Sequence, residues 1–184
     1  MGSDVVADPQ GVRKNLGFYS ATTALYPRLT TRETIDFFAR INQYPADLVK
    51  QRVDGLIQRF GLTNYADARI EKLSSGMKQK VSIARTIAHN PSILIFDEPT
   101  VGLDVLNALD VLDTISELRN EGKTIIFSTH IMSEAERLCD RVAIIDQGRI
   151  IDMDTPEGLI RRHCPERSVV LKTEDVGAGE RFGG

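Results

Sequence analysis

Leu73-Ser74-Ser75-Gly76-Met77-Lys78-Gln79, followed by Ile93-Leu94-Ile95-Phe96-Asp97-Glu98-Pro99, decides how the rest of the chain is read. The second run is apolar until it meets two adjacent carboxylates and a proline, which predicts a buried strand ending in a polar turn. The first run sets hydroxyls and a glycine ahead of Lys78 to His89, a stretch with helical spacing. Hydroxyls and bare amides therefore stand at the positive end of a helix, where an anion is favoured. A helix start shaped for an anion, then a buried strand delivering acids to its C-terminal end, belongs to an α/β fold whose ligands collect along one sheet edge.

Working outward, Thr124 to Phe127 is a second continuously apolar strand, joined to the first by a helix over Val105 to Asn120 that Gly122 ends. Ser133 caps a short helix to Cys139, Val142 to Ile145 makes a further strand, and Gly148 turns the chain into Arg149-Ile150-Ile151. Strands alternating with helices predict a parallel sheet covered on both faces. On the N-terminal side, Thr30 to His89 reads as helical: Thr31, Glu33 and Thr34 open the apolar series Ile35, Phe37, Phe38 and Ile41, and Ala46 to Phe60 repeats apolar residues at three and four. Leu16-Gly17-Phe18-Tyr19, behind the breakers Pro9 and Gly11, reads as a strand end. The expected organisation is one domain over 1–166, divided into a helical subdomain at about 30–89 and the C-terminal part of a catalytic core at about 90–166, with a weakly structured, Gly-rich tail over 167–184.

Two adjacent acids at a strand end point in different directions, so Asp97 can order a magnesium ion while Glu98 polarises an attacking water. The plainer alternative is an acidic pair at a strand-to-helix turn, which Asp-Glu-Pro also suits. Ser74, Ser75 and Gly76 are read as an anion site, with an ordinary serine cap as the alternative. His130 follows its strand through Ser128-Thr129, which places it on the same edge as Asp97 and Glu98, within reach of a terminal phosphate; a structural histidine is the alternative. Gly102-Leu103-Asp104 is a turn with an acid that also serves as a helix cap. Gly122-Lys123-Thr124 imitates the end of a phosphate loop, but the earlier glycine the loop requires is Glu117, and the tripeptide joins a helix to a strand. It is a helix C-cap and strand start. No G-x-x-x-x-G-K-[ST] occurs among the 184 residues.

Composition narrows the field further. Lys+Arg 23 against Asp+Glu 26 leaves a net charge of -3, so no basic footprint for nucleic acid is expected. Cys139 and Cys164 form no CxxC pair and are too few for a disulfide framework, which predicts reduced thiols in the cytosol. Apolar runs are too short to span a bilayer, and Met1-Gly2-Ser3-Asp4 does not open a secretion leader, so a membrane role needs a partner.

These residues resemble the ATP-binding cassette of ABC transporters, from about Val5 to about His163. Leu73-Ser74-Ser75-Gly76-Met77 looks like the signature loop, Ile93 to Asp97 the Walker B strand, Glu98 the catalytic carboxylate, Gly102-Leu103-Asp104 the D-loop and His130 the switch histidine. Leu25-Tyr26-Pro27-Arg28-Leu29-Thr30-Thr31-Arg32-Glu33 is similar to the stretch that opens the helical subdomain, and Met77-Lys78-Gln79-Lys80 looks most like bacterial sodium- or drug-exporter cassettes. The resemblance implies a P-loop NTPase-type parallel sheet flanked by helices. It also implies ATP and Mg2+ as ligands, with Asp97 on the metal, Glu98 and His130 catalytic, and Ser74, Ser75, Gly76, Met77 and Asp104 on the nucleotide side. Implied partners are a second cassette, docked head to tail so that each site is shared, and transmembrane permease subunits that hold the cassette on the inner face of the cell membrane. Nucleic acid is not among them.

Departures from the family pattern accompany the matches. Alignment through Leu25-Tyr26-Pro27 sets Ala21 where the family carries its Q-loop glutamine, while Ser75 and Met77 stand where Gly and Gln are common. The adenine-stacking aromatic and the phosphate loop would precede residue 1, in a strand-loop-helix unit of roughly 30 residues or more. The expectation is an incomplete cassette, inactive alone and poorly stable or aggregating, because its central strands lose a neighbour. A signature and Walker B lobe of a DNA-repair or chromosome-maintenance ATPase is the alternative, disfavoured because the first 72 residues show no heptads. A non-catalytic soluble cassette is another, without the two cassettes and basic linkers usual there.

Overall fold

A computed structural model describes residues 4–20 and 23–163. Position 21, the departure at the Q-loop, and the tail over 167–184 lie outside the described residues. The chain divides into two units, Met1–Cys139 and Asp140–Gly184.

In the first unit, helix α1 (Pro9–Asn15) leads directly into strand β1 (Leu16–Ser20). Helix α2 (Thr31–Ile41) opens with a capping box in which Thr30 and Glu33 each serve the other's backbone N–H, one residue earlier than the cap read from the sequence. Helix α3 (Val49–Arg59) buries Val49, Val53, Leu56 and Ile57 along one stripe. Helix α4 (Ser75–Thr86) starts at Ser75, where sequence spacing placed its start at Lys78. The cap explains the difference: Ser74 accepts from the Met77 amide, which draws Ser75 and Gly76 into the first turn. Strand β2 (Ile93–Asp97), helix α5 (Val105–Asn120), strand β3 (Thr124–Ser128) and helix α6 (Met132–Leu138) complete the unit. Ser133 does not cap α6; the N-cap position is Ile131, which makes no side-chain cap bond.

The three strands form a parallel sheet in the order β1-β2-β3. Its register aligns Tyr19 with Phe96 and Phe127 on one face and Phe18 with Ile95 and Ile126 on the other. The first face meets the helices: Tyr19, Leu94 and Phe96 are buried in a core with Ile35, Val81, Ile83, Ile115 and Leu118. Coverage on both faces was expected and is not what this unit shows, since Phe18 and Ile126 are 55% and 57% exposed. The same register ends all three strands together at Ser20, Asp97 and Ser128.

The second unit pairs strands β4 (Val142–Asp146) and β5 (Arg149–Asp154) as an antiparallel hairpin. Its turn residues Gln147 and Gly148 both have positive φ, 46° and 75°, which matches the twist of a tight hairpin. Helix α7 (Pro156–His163) is tied back to β5 by Arg162, 3.0 Å from Asp152 and 2.9 Å from Asp154.

Candidate functional site

The level ends of β2 and β3 bring four side chains together. Asp97 closes β2, and its Oδ1 accepts a 2.7 Å bond from the Ser128 hydroxyl that closes β3. Glu98 follows with φ +48°, in the left-handed region that a residue with a Cβ seldom occupies. Its N–H donates to both the carbonyl and the hydroxyl of Ser128, at 3.2 and 3.1 Å. This turn carries the Glu98 carboxylate to His130, whose Nδ1 lies 3.0 and 2.9 Å from the two carboxylate oxygens. That hydrogen bond, more than charge attraction, raises the His130 pKa above its ordinary value and favours the imidazolium.

The N-terminus of α4 forms a separate cluster with the start of α5. Ser74 accepts from the Met77 amide at 3.3 Å, while the partly buried Met77 side chain packs against the core. Asp104 caps α5 by accepting from the Asn107 amide at 3.1 Å and the Asn107 side-chain amide at 2.5 Å. The Asn107 backbone N–H, then its side-chain amide, hold the Asp104 pKa below the usual carboxylate value. Gly76 lies against the same Asn107, where a Cβ would stand 2.7 Å from Oδ1. Gly76 and Asp104 are thus neighbours through Asn107, and among the described residues no hydrogen bond joins Ser74, Gly76 or Asp104 to Asp97, Glu98 or His130. Gln79 links the clusters indirectly, donating from α4 to the Pro99 carbonyl at 2.6 Å. Ser75 and Gln79 line an open cleft of about 470 Å³ with Tyr19, Leu25 and Lys78.

Sequence reasoning gave Ser128 and Gln79 no role of their own, although both stand in stretches it quoted, and it did not name Asn107. Ser128 had a signal, because it ends an apolar strand as Asp97 does; Asn107 and Gln79 look like ordinary helix-surface polar residues.

Residues 2–101 match the family model described as ABC transporter. The chain belongs to the ABC transporter family. Within it, 159 residues are 40% identical to the ABC transporter ATP-binding protein NatA of Bacillus subtilis, covering 86% of this chain and 65% of that protein. The Linearmycin resistance ATP-binding protein LnrL of Bacillus subtilis is 37% identical over 82% of this chain and 48% of its own length. The Nod factor export ATP-binding protein I of Ralstonia nicotianae is 35% identical over 96% of this chain and 55% of its own length. The chain therefore spans between about half and two-thirds of these relatives. A solved structure of an ATP-binding subunit of an ABC transporter superposes with TM-score 0.77 at 30% identity, covering 88% of this chain and 67% of that one. The family carries the α/β fold expected from the sequence, a parallel sheet flanked by helices. Among the described residues, no helix is long and apolar enough to cross a membrane.

The donor set distinguishes two kinds of metal site. Among the described residues there is no group of three or more His, Cys, Asp or Glu side chains that could cage a metal ion. A single carboxylate at a strand end, anchored on one oxygen by Ser128, suits a magnesium ion whose remaining ligands are water and phosphate oxygens.

Proposed function

We propose that this chain supplies the water-activating and phosphate-sensing groups of an ATP hydrolysis site in the ATP-binding subunit of an ABC-type membrane exporter. The observation that carries this reading is the Glu98–His130 contact at the C-terminal ends of neighbouring parallel strands, the edge where α/β sheets present ligands. Glu98 is the general base: it takes a proton from the water whose oxygen attacks the γ-phosphorus as the bond to the bridging oxygen breaks and ADP leaves. His130, charged beside Glu98, orients that carboxylate and donates from its other ring nitrogen toward the γ-phosphate. Asp97 holds Mg2+, and the ion neutralises phosphate charge when bound. Ser74 offers its hydroxyl proton, and Ser75 and Gly76 offer first-turn amides that have no intrahelical acceptor, which suits a γ-phosphate; Met77 contributes by holding the Ser74 oxygen through its own amide.

The separation of the α4 cluster from the carboxylates supports a shared site. Two copies meet head to tail, so that Ser74 and Gly76 of one face the nucleotide held by the other, and Asp104 carries the signal between them. Transmembrane permease subunits couple closure to transport and hold the subunit at the inner face of the membrane. The helical segment over about 30–89 acts as the subdomain that moves with the signature helix, beside a core portion at about 90–166. The names of relatives that include export and resistance support the direction of transport.

The test replaces the 159 matched residues of the 40% identical relative with those of this chain and measures steady-state ATP turnover of the chimera. Glu98→Gln is expected to lower turnover by at least about a hundredfold while nucleotide binding persists. Turnover at the unsubstituted rate would remove Glu98 from the role of base.

A further inference from the structure

We propose that Ser128 is a positioning residue for Glu98: its hydroxyl, shared between the Asp97 carboxylate and the Glu98 amide, sets the turn that presents the Glu98 carboxylate to His130. The inference deepens the reading of Glu98 as the base and rests on it.

Hydrogen-bond chemistry assigns the direction of each contact. An ionised carboxylate has no proton to give, so the 2.7 Å contact to Asp97 Oδ1 uses the single proton of the Ser128 hydroxyl. The lone pairs of Oγ are then free to accept the Glu98 N–H at 3.1 Å. One hydroxyl therefore connects a carboxylate to the backbone of the next residue, through a neighbouring strand. The Ser128 carbonyl takes the same N–H at 3.2 Å, so the amide is held from two sides.

The connection acts where backbone geometry needs it. A left-handed conformation at a residue with a Cβ persists only where surrounding contacts over-determine it. Glu98 has φ +48°, and its bonded amide is the group at the root of that turn. Ordinary extension of β2 would carry the residue after Asp97 onward along the strand. The reversed φ instead brings Glu98 within 2.9 Å of His130 Nδ1. Ser128 is itself exposed at a strand end and contributes nothing to the buried core, so its hydroxyl is spent on the turn rather than on packing.

Threonine and valine differ at this position only in the hydroxyl, and both are favoured in strands, so Ser128→Thr and Ser128→Val separate the hydrogen bonds from side-chain shape. The full chain, ¹⁵N-labelled, is titrated by NMR with the His130 ring and the Glu98 amide as reporters. Ser128→Ala and Glu98→Gln are included, and far-UV circular dichroism confirms that each variant is folded. The Ser128→Val and Ser128→Ala proteins are expected to shift the His130 midpoint downward toward its value in Glu98→Gln, with faster exchange at the Glu98 amide. Ser128→Thr is expected to titrate as the parent does. A Val variant with the parent midpoint, or a Thr variant that falls with Val, overturns the role of the hydroxyl while leaving the Glu98–His130 pair intact. A His130 midpoint that does not move in Glu98→Gln overturns the pair itself and, with it, both readings.

Discussion

Gly76 in the first turn of α4 packs directly on Asn107 in the first turn of α5, so that a Cβ at residue 76 would stand 2.7 Å from Oδ1 and 3.0 Å from Cγ of that side chain. Asn107 cannot simply swing away, because its amide also bonds Asp104 at 2.5 Å. The first turns of α4 and α5 therefore meet through Gly76 and Asn107 within one chain.

Gly76→Ala should change sign with its neighbour. In the parent background the new methyl displaces Asn107 from Asp104 and destabilises the chain; with Asn107→Ala the methyl fits, and alanine's helix propensity gives back about 1 kcal/mol. Urea unfolding of the two single variants and the double variant should yield a coupling energy of about 0.5–3 kcal/mol. Additive single effects would show that the contact is not a constraint.

His130 and Glu98 make stability depend on pH in a known direction. The hydrogen bond that His130 donates to the Glu98 carboxylate raises the folded-state pKa of His130, so the pair contributes fully below the ordinary imidazole value of 6.5 and fades as pH rises through the raised pKa. His130→Ala should therefore lower Tm at about pH 5.5 and have a smaller effect at about pH 8.5. The effect should shrink in high salt because the histidine is exposed.

His89 acts in the opposite sense. It is 9% exposed, its Nδ1 has no hydrogen-bond partner, and burial lowers its pKa even though Nε2 lies 3.1 Å from the Leu16 carbonyl. A depressed folded-state pKa gives stability that is present above the ordinary value and lost as pH falls through the folded one. Melting curves should show less acid-side loss of Tm in His89→Gln than in the parent, as the neutral side chain need not take up a proton.

Phe18, Ile95 and Ile126 lie in register on the open face of the parallel sheet, with Phe18 and Ile126 more than half exposed. Such a face promotes association. Phe18→Ser with Ile126→Thr should reduce the aggregated fraction in light scattering while leaving the helix-covered face intact. An unchanged fraction would place the sticky surface elsewhere.

The chain's α/β character, the strands at Ile93 and Thr124 and the α5 helix were legible in the sequence, and the candidate residues Ser74, Gly76, Asp97, Glu98, Asp104 and His130 were picked out from it. Each is marked by a local pattern: an apolar run, a cap, or an acid or histidine next to a strand end. Less was legible wherever a boundary depended on a side-chain bond. The start of α4 moved forward because the Ser74 hydroxyl captured the Met77 amide, and α6 began without the serine cap assigned to it.

Tertiary structure alone decided what couples those residues. Ser128 meets Asp97 across 31 positions, His130 meets Glu98 across 32, and Gln79 reaches the Pro99 carbonyl across 20. Sequence by itself determined which chemical groups are present and which elements carry them, since propensity and periodicity act within a few residues. Strand register and helix packing act over the whole unit, and they determined that Ser20, Asp97 and Ser128 end level, that Gly76 leans on Asn107, and that one sheet face is covered while the other lies open.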